Sequence, residues 1–165
     1  MKQILKLATL CLVLAVLLCA CSLPDRVFTC KNLSITLPGS FADLSSTLDG
    51  DDLDFFYMTA KTGITGYRVE KASMTEDAES LTPENFVELM QYSNAHTGKV
   101  THRGDICSYI YTAETDGEDF TYLVAVFDAE DALWVLQCYC RTAEFSKTEE
   151  TFWSYLETVT FSENN

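Results

Sequence analysis

Three long β-branched and aromatic runs, Ile106 to Glu114, Phe120 to Phe127 and Leu133 to Arg141, lie almost end to end in this chain. They restrict the fold more than any other feature. Asp116-Gly117 separates the first two, and an Asp-Gly pair between alternating runs is a strong two-residue hairpin signal. Ala129-Glu130-Asp131 separates the second from the third, so the three read as an antiparallel meander. A two-residue turn at Asp116-Gly117 fixes the register and sets Tyr111 opposite Tyr122 and Tyr109 opposite Val124. The opposite face then carries Ile106, Ile110, Leu123 and Phe127. Both faces are apolar enough to require cover, by helices, other strands or a second chain.

The flanking segments supply that cover. Thr82-Pro83-Glu84 is a helix start, with a hydroxyl cap, proline at the first helical position and an acid in the first turn. Phe86, Leu89, Met90 and Ser93 follow on one face with Val87 beside it, and Gly98 closes the segment. Ser146 to Glu149 reads as a capping box for a second helix through Phe152, Leu156 and Val159, with a short strand or helix tail to Phe161. Before the meander, Phe28 to Cys30 and Leu33 to Leu37 flank a Lys31-Asn32 turn and stop at Pro38-Gly39. Leu53 to Thr59 is a further strand. Another runs from Ile64 to Ser73 after a Lys61-Thr62-Gly63 turn, with Ile64, Tyr67 and Val69 inward. This order of strands, helix, meander and helix predicts an α+β domain over residues 28–161, an antiparallel β-sheet packed by two helices.

The first residues predict a location. Lys2 and Lys6 precede an apolar run of roughly a dozen residues, shorter than the ~20 needed to cross a bilayer comfortably. The run ends on Leu18-Cys19-Ala20-Cys21, which resembles the lipobox of bacterial lipoproteins, where cleavage before the cysteine accompanies its lipidation. Residues 1–20 are then a cleaved signal peptide, Cys21 is the lipidated residue, and 21–27 form a short tether that holds the domain at the outer face of the cell membrane. An ordinary signal peptide or an uncleaved anchor is the alternative.

Loss of residues 1–20 removes two lysines and no acids, taking the formal charge from −14 to −16. So acidic a surface, with no clustered Lys or Arg, excludes nucleic-acid binding and leaves an envelope protein as a possible partner. Four cysteines follow Cys21: Cys30, Cys107, Cys138 and Cys140. Outside the membrane a bridge from Cys30 to Cys138 or Cys140 is allowed, whereas Cys138 and Cys140, two apart in one strand, are too strained to pair. Free buried thiols are the alternative.

Catalytic patterns are sparse, and no metal or other cofactor is called for. His96 and His102, the only two histidines, lie either side of Gly98. A His102–Cys107 dyad, a soft-metal site on the cysteines and a calcium site on Asp49, Asp51, Asp52 and Asp54 are the candidate chemistries. EF-hand spacing fails, since Leu53 and Asp54 occupy the fifth and sixth positions counted from Asp49. No nucleophile elbow, phosphate-binding loop or His-Glu-x-x-His helix is present.

The Leu33-Ser34-Ile35-Thr36-Leu37-Pro38-Gly39-Ser40-Phe41 segment, the Thr82-Pro83-Glu84-Asn85-Phe86 helix start, the meander and a last helix before Val159-Thr160-Phe161 resemble bacterial lipoproteins of the PsbP/Mog1/DcrB-like, DUF1795-type fold family. The resemblance implies an antiparallel sheet between helices in an α/β/α sandwich. It also implies binding or accessory roles rather than enzymatic ones. The expectation is therefore a non-enzymatic, membrane-anchored binding module with Tyr109, Tyr111 and Tyr122 as possible ligand-facing aromatics. The alternative is a thiol- or metal-dependent envelope enzyme using Cys107, Cys138 and Cys140 or the Asp49–Asp54 cluster.

Overall fold

A computed structural model describes residues 23–48, 53–74 and 80–162. Strands β1 (Arg26–Cys30) and β2 (Leu33–Leu37) form a hairpin; β3 (Ala42–Asp43), β4 (Phe55–Met58) and β5 (Thr62–Glu70) follow. A short helix α1 (Lys71–Met74) and the longer α2 (Pro83–Asn94) precede β6 (Thr101–Arg103) and the meander strands β7 (Ile106–Thr115), β8 (Glu118–Ala129) and β9 (Ala132–Arg141). Helix α3 (Thr142–Leu156) and β10 (Thr160–Phe161) complete the described chain.

The meander forms the centre of a seven-stranded antiparallel sheet in the order β3-β4-β5-β9-β8-β7-β6. Its first turn has positive φ at both Asp116 and Gly117, the mirror-image turn geometry that matches strand twist. The register follows from that turn: Tyr109 pairs with Val124 and Tyr111 with Tyr122. The N-terminal hairpin does not join this sheet. β1, β2 and β10 make a separate three-stranded sheet, with Thr160 opposite Ser34 and Phe161 opposite Leu33.

Side-chain parity sorts the core into two halves. On one face of the large sheet, Phe55, Tyr57, Ile64, Leu123, Trp134 and Cys138 pack against Leu33, Ile35 and Leu37 of the small sheet and Phe152, Trp153 and Leu156 of α3. On the other, Cys107, Tyr109, Val124, Val126, Leu133 and Val135 meet Phe86, Val87 and Met90 of α2. The layers therefore run from α2 through the large sheet to the small sheet with α3.

Several expectations change in detail. Ile64 faces the first core half, whereas Tyr67 and Val69 border the second, because odd and even positions of β5 point to opposite faces. β5 ends at Glu70, and Lys71 opens α1, its buried ammonium held by both oxygens of Asp128 at 2.8 and 3.0 Å. In α2 the Thr82 hydroxyl accepts from the Asn85 N–H at 3.2 Å, as the capping pattern requires. The buried stripe is nevertheless Phe86, Val87 and Met90, with Leu89 43% exposed and Ser93 on the surface. Ala95 in the left-handed region caps the helix in place of Gly98. Helix α3 begins at Thr142, straight after β9 and with no side-chain cap, so Ser146 and Glu149 lie inside it rather than at its start.

Candidate functional site

The α2-facing side of the large sheet is covered over only half its length. Cross-strand lines that contain Cys107, Val126 and Val135, or Tyr109 and Val124, lie under α2. The next line toward the β7–β8 turn is outside that cover. It comprises Tyr111, Tyr122, Tyr139, Gly63 and Met58, which register places side by side on β7, β8, β9, β5 and β4.

Neighbouring strands stand about 4.8 Å apart, the spacing at which parallel rings stack. Tyr111 and Tyr122 do so with centroids 4.7 Å apart and planes within 5°, and Tyr122 to Tyr139 is 5.3 Å at 31°. At one end the imidazole of His96, from the loop after α2, stacks on Tyr111 at 3.8 Å, and its Nδ1 lies 3.2 Å from the Tyr109 hydroxyl. That loop is held close because Gly98 lies against the Ile110 carbonyl, where any Cβ would collide, and because the Gln91 amide donates to the Gly98 carbonyl. At the other end the Tyr139 ring lies over Gly63, in space that a side chain would fill. Phe120 meets Tyr139 edge-on at 6.2 Å.

Beyond the row the surface opens into a cleft of about 810 Å³ between the β4–β5 turn, the β7–β8 hairpin and the start of α3. Phe120, Tyr122 and Tyr139 form its aromatic lining, with Met58, Thr59, Thr62 and Thr115 around them. Lys61, Glu118, Arg141 and Glu144 add charge. Burial, then Tyr122 and Tyr67, pushes Tyr111 up to about 12, and burial with the neighbouring Tyr111 and Tyr67 raises Tyr109 as well. Burial followed by Tyr122 raises Tyr139.

Of the tyrosines expected to face a ligand, Tyr122 lines the cleft, Tyr111 is sandwiched between His96 and Tyr122, and Tyr109 is only 1% exposed beneath the α2 layer. Tyr139 and Phe120 were missed as site residues. The β8–β9 register, set by the Ala129 to Asp131 turn, is the signal that places Tyr139 beside Tyr122.

The candidate chemistries fare differently. His102 and Cys107 are cross-strand partners on β6 and β7. Burial and then Glu84 nonetheless push the thiol up to about 11, and His102 Nε2 lies 3.7 Å from Glu84, so the pair lacks the thiolate that a nucleophile requires. Cys138 and Cys140 pack in the opposite core half from Cys107, which prevents a common thiol site. All four described cysteines are free, so of the two alternatives the structure has free thiols and not a bridge from Cys30 to Cys138 or Cys140; Cys30 Sγ donates instead to the Asp54 carbonyl at 3.5 Å. Among the described residues no group of three or more His, Cys, Asp or Glu is gathered as for a metal. Asp54 is committed to Lys31 at 2.6 Å and to the Arg68 N–H at 2.8 Å, while Asp49, Asp51, Asp52 and Cys21 lie outside the described residues.

His96 provides a stability test of the row. Burial lowers its pKa below the ordinary 6.5, so the unfolded chain binds the proton more readily than the folded one. The stability it contributes is complete above about 6.5 and is lost as pH falls through that value toward the lower folded pKa. Between pH 7.5 and 5, the urea midpoint of the wild type should fall more steeply than that of His96→Asn; equal slopes would contradict the burial of the ring against Tyr111.

No protein-family model matches the chain, and no curated protein matches it in sequence. Solved structures do match in shape. A protein of Bacteroides thetaiotaomicron aligns with a TM-score of 0.58 at 8% identity over 84% of this chain, which spans only 49% of that protein. Cyanobacterial PsbP (CyanoP) from Synechocystis sp. PCC 6803 aligns with a TM-score of 0.54 at 10% identity, over 86% of this chain and 93% of that one. The Ran-binding protein Mog1p of Saccharomyces cerevisiae aligns with a TM-score of 0.53 at 11% identity, over 85% and 96%. The fold is thus the PsbP/Mog1-like α+β fold, and the likeness extends to fold alone.

Proposed function

We propose that this protein is a non-enzymatic binding module of the cell envelope, anchored through lipid on Cys21, that receives its ligand on the open aromatic half of the large sheet. The observation that carries this reading is the incomplete cover over that face. A sheet with two apolar faces normally has both buried, yet Tyr122, Tyr139 and Phe120 line a cleft within the 300–1,000 Å³ range of small-molecule sites. The thiols, being unactivated and divided between the core halves, support a binding role over a catalytic one. Mog1p is itself named as a binding protein, although a shared fold transfers no partner.

The anchor reading rests on Leu18-Cys19-Ala20-Cys21 and on the first described strand, which starts only five residues after Cys21. No helix among the described residues is long and apolar enough to cross a membrane. Two or three acyl chains, at ~0.8 kcal/mol per buried CH₂, hold such a domain durably. Cys21→Ser is expected to abolish incorporation of labelled fatty acid and to move the protein out of the membrane fraction; continued labelling would defeat the anchor. Turnover by the purified mature protein that vanishes on a single substitution would overturn the non-enzymatic reading.

A further inference from the structure

The cleft differs in charge from the protein that carries it. The chain has a formal net charge of −14, yet the cleft holds Lys61 and Arg141 against Glu118 and Glu144. Arg141 is already engaged, its Nη2 lying 2.8 and 2.7 Å from the two Glu118 oxygens. Glu144 is approached by Lys147 at 3.8 Å. Lys61, exposed on the β4–β5 turn, makes no ion pair among the described residues and only its backbone N–H is bonded, to the Thr59 hydroxyl. Among the described residues, one ammonium without an ion-pair partner therefore borders an aromatic lining.

A ligand suited to this site satisfies both features. A neutral ring compound would leave the ammonium unused, and a multiply charged anion would be repelled by the acidic surface around it. Lys presents a compact point charge, which a single carboxylate satisfies without a second donor. Ring faces and the thioether of Met58 favour a flat apolar body. We propose that the cleft takes an aromatic monocarboxylate, with Phe120, Tyr122 and Tyr139 receiving the ring and Lys61 the carboxylate. This rests on the cleft being the binding site, and the test separates the two.

The probes are N-acetyl-L-tryptophan, a monoanion, and its neutral amide. Equilibrium dialysis against the lipid-anchored protein in phosphatidylcholine nanodiscs, with empty discs subtracted, gives both affinities. Saturable binding is expected, with the acid favoured about three- to fivefold, as for an exposed ion pair. Lys61→Gln should erase that preference and Lys61→Arg retain it, neither touching the core. Tyr122→Ser with Tyr139→Ser should weaken both probes about tenfold. Equal affinities in the wild type, or a preference that survives Lys61→Gln, would overturn the ligand class and leave the cleft reading standing. No saturable binding, or binding unchanged by the tyrosine substitutions, would overturn both.

Discussion

Trp134→Ala is expected to lower the unfolding free energy by about 3–5 kcal/mol, a large share of the roughly 5–15 kcal/mol that holds a domain folded. Trp134 is 0% exposed near the start of β9, with Phe55 at 6.2 Å between centroids. Its indole N–H donates to the Asn32 side-chain oxygen at 3.0 Å. Asn32 belongs to the β1–β2 turn, so this one side chain packs the large sheet and bonds the small one. The two contributions are separable. Trp134→Phe keeps most of the apolar burial and should cost less than the alanine variant, while Asn32→Ala leaves a buried N–H without its acceptor and should cost about 1–3 kcal/mol. Guanidinium midpoints of the three variants check the order. A Trp134→Ala loss below about 1 kcal/mol would show that the two sheets do not share the core described here.

That junction is also what the sequence revealed least. The meander was legible because alternation and the Asp116-Gly117 turn act locally, and a two-residue turn leaves one register open to Tyr111 and Tyr122. The start of α2 was legible for the same reason, since its cap and its Pro83 belong to one turn of chain. The small sheet depends instead on Thr160 and Phe161 finding Ser34 and Leu33 across most of the chain, and strands this short carry no local mark of their partner. The start of α3 was misplaced because Arg141-Thr142 has no capping side chain: the helix grows directly from the end of β9, and packing of Phe152, Trp153 and Leu156 decides it. In the site, Tyr122 came from hairpin register, while the stacking of His96 on Tyr111 required the path of a loop.

Two glycines on β5 test both halves of the description with one chemical change. Gly66 pairs with Phe55 and Gly63 with Tyr139, and being three residues apart they face opposite sides of the sheet. A Cβ at Gly66 would collide with the Phe55 ring, which is fully buried and stacked on Tyr57 at 4.6 Å. Nothing there can yield, so Gly66→Ala should cost about 1–3 kcal/mol by overpacking. At Gly63 the obstacle is the Tyr139 ring, which is half-buried and borders the cleft. Gly63 is also buried, but beneath a ring that borders the cleft, so Gly63→Ala should cost less than Gly66→Ala, below about 1 kcal/mol, while displacing Tyr139 from Tyr122. Denaturant midpoints measure the first effect, and ring-to-ring nuclear Overhauser contacts between Tyr122 and Tyr139 measure the second. If Gly63→Ala destabilises as strongly as Gly66→Ala, Tyr139 is locked in a closed layer and the face is not open to a ligand. If it instead keeps the fold and loses the ring contact, the sheet has one face built for packing and another half-face whose aromatic side chains can move.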